Sequence, residues 1–443
     1  MSGSFSNLTE IFQLILIFLA NGGWVLFVIG MVYMLYRLYR VEISHQFVHS
    51  QEWIFLNIKV PKDNTVSTLA VESIFSQMHA LFAGLTFAQT YIEGRIQLWY
   101  SLELVSMGGK ISYIIRCPKG VRHVLEAAFY AHYPSAEITE VEDYMKNLHY
   151  DPDDTVCEMD IFGTEWKLDQ DYVIPLKTYK DFEHPTAEDK IIDPLSGVFE
   201  ALAKVEPHEF MGIQFLIQPI NDDAWKPHAD MVGKQLRGEE IPHERKLSDV
   251  LLAPFTILSH QTAFEAFKHG GHGHEQENKP RNNWMTMTEA EKDRVNLIER
   301  KAGKPGYKTK MRILYIAPKD KMDLSKRGAL IGGFRPMGSI MTNKIKPDVG
   351  NAKTWTGVDY AFSPTLEKPY LDWLLRRKKR FIFRGYKDRD IHIGISPFIL
   401  NVEELATLYH FPITTETRPM PAAIEQTLSK KAQPPVNLPV AEG

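Results

Sequence analysis

The sequence predicts an α+β protein with one N-terminal transmembrane helix followed by two ferredoxin-like β-α-β-β-α-β units, the second carrying a helical insertion. Three observations carry this expectation. Residues 11–36 contain no charged side chain, residues 53–150 alternate strand-like and helix-like patterns in that order, and a second pass of similar rhythm follows residue 151. The 443 residues are 44% hydrophobic and 24% charged, a globular composition with room for more than one domain behind the apolar stretch.

Residues 11–36 read IFQLILIFLANGGWVLFVIGMVYMLY. At about 1.5 Å of rise per residue, this run exceeds the ~20 residues that cross a ~30 Å hydrocarbon layer. Asn21, Gly22 and Gly23 interrupt it, which a span tolerates because helix hydrogen bonds stay internal. A secretory signal peptide fits less well. No Lys or Arg precedes the run, the run is too long, and no small-residue cleavage site follows. Residues 1–10 carry no positive charge, whereas Arg37 and Arg40 follow directly. Basic flanks stay inside. The expectation is therefore an extracytoplasmic tail over 1–10, a span of the cytoplasmic membrane over 11–36, a stalk over 37–52 and a cytoplasmic remainder. Only two cysteines, Cys117 and Cys157, are present. That suits a reducing compartment and excludes a disulfide scaffold or a cysteine zinc site.

The first unit spans 53–150. WIFLNIKV (53–60) is bulky and β-branched and stops at Pro61, as a strand does. Leu69, Val71, Ile74, Phe75, Met78, Leu81 and Phe82 recur at helical spacing. Strands follow over 95–106 and 110–117, joined by a tight hairpin at Met107, Gly108 and Gly109; then come a helix over 121–132 and a strand over 136–141. DPDDT (151–155) marks the domain boundary.

The second unit spans 151–412. Strands are expected over 157–162, 172–178 and 210–218, with a helix through Val205 opened by Asp193 and Pro194. The insertion, 222–303, contains helices over 249–267 and 289–301, the latter capped by Thr288 and Glu291. Between them lies HGGHGHEQENKPRNN, too poor in apolar residues to fold. KMRILYIA (310–317) restores strand character; a helix over 325–342 and strands over 381–383 and 391–395 complete the unit. Residues 413–443 read as a proline-rich linker or tail.

Common catalytic signatures are missing. No G-x-x-x-x-G-K-[ST] is present; Gly108, Gly109 and Lys110 come nearest, but Ile111 stands where the magnesium-binding hydroxyl would be. Nor is there a G-x-S-x-G, an H-E-x-x-H or an H-x-E with paired cysteines. Asp153, Asp154, Glu188 and Asp189 fall in expected loops and read as solvated surface. The imidazoles of His269, His272 and His274 could ligate a transition metal, yet the intervening glycines leave them unpositioned, and a flexible loop is the favoured reading. No catalytic residue, cofactor or metal is expected.

One dense basic tract stands out. Arg376, Arg377, Lys378, Lys379, Arg380, Arg384, Lys387 and Arg389 are interleaved with Phe381, Phe383 and Tyr386. Cations that neutralise phosphates beside stacking aromatics suit nucleic acid. The same residues suit anionic lipid or an acidic partner, or simply the wet end of a helix and the solvent edge of a strand. The net charge of −4 favours the last reading over a chain that coats nucleic acid.

In ILNVEELATLYHFP (399–412), Asn401 and Glu404 form a capping box, while Leu405, Leu408 and Phe411 face a core. This stretch resembles one in membrane-anchored conjugation ATPases of the TraG and HerA-like type IV secretion coupling-protein group. WIFLNIKVPKDN, MGGKISYIIRCPKG, ERKAGKPGYKTKMRILYIA and the SKKAQPPVNLPV connection resemble it too, over most of 40–440. In those relatives the connection leads into a phosphate-binding loop, whereas this sequence stops at Gly443. The resemblance implies a non-catalytic, membrane-anchored subunit of a transfer apparatus that docks a separate HerA/TraG-like P-loop ring ATPase at the cytoplasmic membrane face. The alternatives are an N-terminal fragment of a longer motor ATPase and a membrane-bound scaffold or binding module unrelated to transfer. Homo-oligomerisation and nucleic-acid contact stay open.

Overall fold

A computed structural model describes residues 19–148, 150–152, 157–182, 192–239, 287–350, 353–358, 364–414 and 421–427. After a kinked turn at Leu19–Gly23, with Asn21 and Gly22 out of helical geometry, α1 (Trp24–Ser50) runs unbroken. The expected stalk is thus the same helix as the apolar stretch. No Gly or Pro interrupts residues 37–50, and Gln46 donates to Glu42 Oε1 at 2.9 Å one turn away. The helix is long and apolar enough to cross a membrane, and the body buries none of its apolar window.

The chain then gives β1 (Trp53–Pro61), α2 (Thr68–His79), β2 (Tyr100–Met107), β3 (Lys110–Pro118), α3 (Arg122–His132) and β4 (Glu137–Val141). The second pass gives β5 (Met159–Leu168), α4 (Ser196–Ala203), β6 (Phe210–Pro219), α5 (Lys226–Leu236), α6 (Glu289–Ala302), β7 (Gly306–Pro318), α7 (Leu324–Gly333) and β8 (Ile345–Pro347). Last come α8 (Pro364–Asp388), β9 (Phe398–Asn401), α9 (Val402–Leu408) and β10 (Gln426–Thr427). The fold is mixed, with one N-terminal apolar helix and a sheet that is antiparallel apart from the short β1–β10 pairing.

Strand order is β10-β1-β3-β2-β6-β7-β5-β8, with β4 on β1 and β9 on β7. The first half therefore has the order β4-β1-β3-β2 and the second β8-β5-β7-β6. Numbered within its own half, each reads 4-1-3-2. The halves join edge to edge through β2 and β6, from Tyr100↔Ile217 to Met107↔Phe210, so the expected boundary at 151–155 divides the chain but not the sheet. The β2–β3 hairpin turns on Gly108 and Gly109, with φ of +58° and +79°, which a two-residue turn needs and glycine supplies. A Cβ on Gly109 would also lie 2.8 Å from the Ala203 carbonyl oxygen. Gly109→Ala is expected to destabilise the full chain in detergent by at least about 1 kcal/mol, read as a lowered Tm.

Period-two alternation divides the core. Leu56, Leu102, Tyr113, Ile213, Ile313 and their neighbours face α2, α3, α4, α7 and α9; Val105, Ile114, Phe210, Leu314 and Ile316 face α8 and Tyr144. Here the structure corrects the sequence reading. Residues 381–383 are helical, because Leu371, Lys378, Ile382 and Tyr386 are buried at successive spacings of seven, four and four within α8. Glycines inside strands admit that helix. A Cβ at Gly212 would meet the Tyr386 hydroxyl at 2.1 Å, and one at Gly163 would meet Ile382 at 2.9 Å.

Residues 172–178 form no strand. Pro175 lacks an N–H, and the Asn343 amide satisfies the carbonyls of Gln170, Asp171 and Ile174. Residues 391–395 are irregular for a similar reason: Lys310 donates to the Ile393 carbonyl at 2.6 Å, and Glu165 accepts from Ile395 N–H at 2.6 Å. The expected helix over 325–342 ends at Gly333, and a short helix at Phe87–Tyr91 lies before a strand that starts at Tyr100, not residue 95. The expected helix over 249–267, the tail over 1–10 and the stretch 430–440 lie outside the described residues.

Candidate functional site

Four neighbouring strands place one polar residue each on the α8 face, in register: Glu103 opposite Gln214, Gln214 opposite Arg312, and Arg312 opposite Glu165. All four are fully buried. Such groups need partners, and the turn after α8 supplies them. Arg389 donates to Glu103 at 2.9 Å and to both Asp143 oxygens at 2.8 and 2.9 Å. Tyr144, Ser101 and Gln214 also donate to Glu103, at 2.7, 2.6 and 3.0 Å. Arg312 binds Glu165 at 2.8 Å and the carbonyls of Gly385 and Asp390 at 2.6 and 2.8 Å. Burial pushes the Glu103 carboxyl up, but the Arg389 charge and these hydrogen bonds outweigh it and hold the group below its ordinary value.

The basic tract therefore splits. Arg389 belongs to the core. Lys378 is buried and donates to the carbonyls of Gly350, Trp355 and Gly357 at 2.9, 2.9 and 3.1 Å, and Lys379 pairs with Asp160. Arg376, Arg377, Arg380, Arg384 and Lys387 are exposed, Arg377 lies over the Trp373 ring, and Arg384 pairs with Asp388 at 3.2 Å. Tyr386 is buried and Phe383 nearly so, which leaves Phe381 as the exposed ring among the three interleaved aromatics.

A second polar cluster gathers on α9. The Asn401–Glu404 capping box forms as the sequence indicates, and every residue from 400 to 412 is buried. Glu404 pairs with Lys301 of α6 at 2.9 Å, and neither side chain is exposed. Lys301 also donates to the Ile399 carbonyl at 3.1 Å and to that of Tyr172. Burial lowers the Lys301 pKa, and Glu404 offsets only part of that. Glu403 accepts from Thr178 at 2.6 Å, Arg300 at 2.7 Å, Lys180 at 3.0 Å and Lys304. The stretch carrying the sequence resemblance is thus the point where α6 of the insertion, α2 and the 178–180 turn converge. It offers no open surface for chemistry.

Burial pushes the Glu403 carboxyl up, but hydrogen bonds from Lys304, Thr178 and Lys180 dominate and hold it at about 2. A folded-state value below the unfolded one means that protonation favours unfolding. The contribution, up to about 3 kcal/mol, is complete above the ordinary glutamate value of about 4.3 and is lost as the pH falls toward the folded value. Melting of the full chain in detergent is expected to drop more steeply over this window for wild type than for Glu403→Gln.

The third feature is a cavity of about 1110 Å³ between α1 and the rim of the body. One stripe of α1 lines it, Tyr33, Tyr36, Arg37, Arg40, Ser44 and Val48, at helical spacing. Arg40 donates to the Thr90 carbonyl at 2.9 Å and lies over the Tyr91 ring, Trp53 donates to the Val48 carbonyl at 3.3 Å, and Val48 packs on Trp99 and Ile391. Arg116 forms part of the wall. Its guanidinium stacks on Trp53 with its central carbon 3.8 Å from the ring centroid, and its buried Nη1 has no hydrogen-bond partner.

The expected surface carboxylates Asp153, Asp154, Glu188 and Asp189 and the imidazoles of His269, His272 and His274 lie outside the described residues. Among the described residues no group of three His, Cys, Asp or Glu side chains is placed to hold a metal ion. A family profile described as a domain of unknown function (DUF8128) matches residues 48–344, from the last turn of α1 to the edge of β8. No curated protein matches the chain.

Proposed function

The chain belongs to the DUF8128 family, and from its apolar leading helix and the sequence resemblance to coupling proteins we propose a membrane-anchored, non-catalytic module of a transfer apparatus related to type IV secretion. It holds a TraG- or HerA-like P-loop ATPase at the inner face of the cytoplasmic membrane. In this reading α1 crosses the membrane with its N-terminus outside, and the body, two ferredoxin-like units fused through β2 and β6, lies in the cytoplasm. The repeated 4-1-3-2 strand order with helices packed on one face supports those units.

The polarity of β1 carries the proposal. At one end, α1 stops at Ser50 and β1 begins at Trp53. At the other end, Val60 and Pro61 pair with Gln426 and Thr427, while Glu425 accepts from Asn57 and pairs with Lys110, both at 2.7 Å. At about 3.3 Å per residue the two ends stand some 25–30 Å apart. The anchor joins one end of β1 and residues 425–427 lie at its other end, as a strut between a membrane and a motor requires. A motor in the same polypeptide would use the same polarity.

A photo-crosslinker at exposed Lys110, introduced in the native host, is expected to capture a protein carrying G-x-x-x-x-G-K-[ST]. Crosslinks solely to structural or division proteins would favour an unrelated scaffold, and nucleotide hydrolysis by the purified chain alone would overturn a non-catalytic role.

A further inference from the structure

Four guanidinium groups line the cavity beneath α1, those of Arg37, Arg40, Arg116 and Arg384, against two carboxylates, Asp388 and Asp390. Arg37 and Arg116 line it and make no hydrogen bond or ion pair with the described residues, apart from the stacking of Arg116 on Trp53. Arg384 is matched by Asp388, and the remaining acidic wall residue, Asp390, accepts from the His392 N–H at 2.8 Å. A half-buried guanidinium without an ion-pair partner favours an anion beside it. Burial and the nearby Arg389 charge push Arg116 down to about 10 against the opposing pull of Glu103 and Asp143, so it remains a cation at neutral pH.

Position selects the anion. The apolar part of α1 ends at Tyr36 and its first charge is Arg37, so the residues at the mouth of the cavity stand at the change from apolar to polar helix surface. Tyr33 and Tyr36 line the same mouth and are 62% and 42% exposed, the amphipathic rings expected at headgroup depth. A volume of about 1110 Å³ far exceeds a lone phosphate and admits a headgroup with its glycerol.

We propose that this cavity binds the phosphate headgroup of an anionic phospholipid from the inner leaflet, with Arg37 and Arg116 as the counter-charges. The proposal rests on the membrane-spanning reading of α1. Guanidinium groups suit it because they donate in pairs to phosphate oxygens. A lipid seated in the cavity touches both α1 and the body, and so fixes the angle between them.

The test is native mass spectrometry of the full chain in dodecyl maltoside, titrated with phosphatidylglycerol or phosphatidylcholine. Retention of phosphatidylglycerol is expected, with Arg37→Gln and Arg116→Gln each lowering occupancy roughly tenfold and Arg376→Gln, outside the cavity, leaving it unchanged. Arg37 sits on the exposed helix, so its substitution reports on binding even where Arg116→Gln lowers the Tm. Equal retention of phosphatidylcholine, or an unaltered Arg37→Gln variant, would overturn the proposal. Displacement of the lipid by equimolar glycerol 3-phosphate would place the ligand among free phosphates and overturn it equally. Alkaline carbonate extraction separates the two levels: release from membranes defeats the spanning reading, whereas retention without lipid preference defeats this inference alone.

Discussion

Arg389→Ala is expected to destabilise the full chain by about 3–5 kcal/mol, because it leaves the Glu103 carboxylate buried beside its remaining neutral donors with no counter-charge. Glu103 is fully buried and Arg389 is its cationic partner, with Asp143 completing the fork. Arg389 also has φ of +53°, held in place by a Trp99 indole that donates to its carbonyl at 2.6 Å. Chemical denaturation in detergent should show the loss, while Arg376→Gln, on the exposed side of α8, should stay within about 0.5 kcal/mol. Near-equal losses from the two would mean that the tract acts as one surface. The double change Glu103→Leu with Arg389→Met should recover part of the loss, since an apolar replacement removes both charges at once.

Lys301→Ala should cost a similar amount, about 3–5 kcal/mol, by stranding Glu404 in a site without solvent. The loss should be distributed differently. Lys301 ties α6 to α9 and to the Tyr172 and Ile399 carbonyls, so amide exchange should rise first in Glu289–Ala302 and Val402–Leu408 and leave β1–β3 protected. Pairing Lys301→Met with Glu404→Leu should recover only part, because Glu404 also accepts from the Asn401 N–H at 2.9 Å as half of the capping box, worth about 1 kcal/mol. Uniform exchange across the sheet would place α6 and α9 in one cooperative unit with the whole body.

What could be read in the sequence is what short-range chemistry specifies. Bulky and β-branched runs in WIFLNIKV and FMGIQFLIQ mark β1 and β6, Gly108 and Gly109 mark the hairpin, and two capping boxes, Thr288–Glu291 and Asn401–Glu404, open helices where they occur. A third capping box, Thr86–Gln89, was equally legible and opens the turn that holds α1. What escaped depended on distant partners. The aromatic run at 381–383 reads as strand until Gly163 and Gly212 are seen to admit a helix across the sheet. Arg389 and Lys378 look like their exposed neighbours because nothing local reveals Glu103 or the Gly350, Trp355 and Gly357 carbonyls. The cavity draws its walls from α1, the Tyr91–Trp99 approach, β3 and the turn after α8, so no single stretch announces it.

The central claim is a strut fixed to the membrane by α1 with its distal end in the cytoplasm, and reporter topology tests it most directly. Fusions of green fluorescent protein and alkaline phosphatase to the C-terminus, expressed in the host, should give fluorescence and no phosphatase activity, with the fusion retained in the membrane fraction. Phosphatase activity without fluorescence, or a fusion recovered as a soluble protein because the cell has cleaved off the leading helix as a signal sequence, would contradict it.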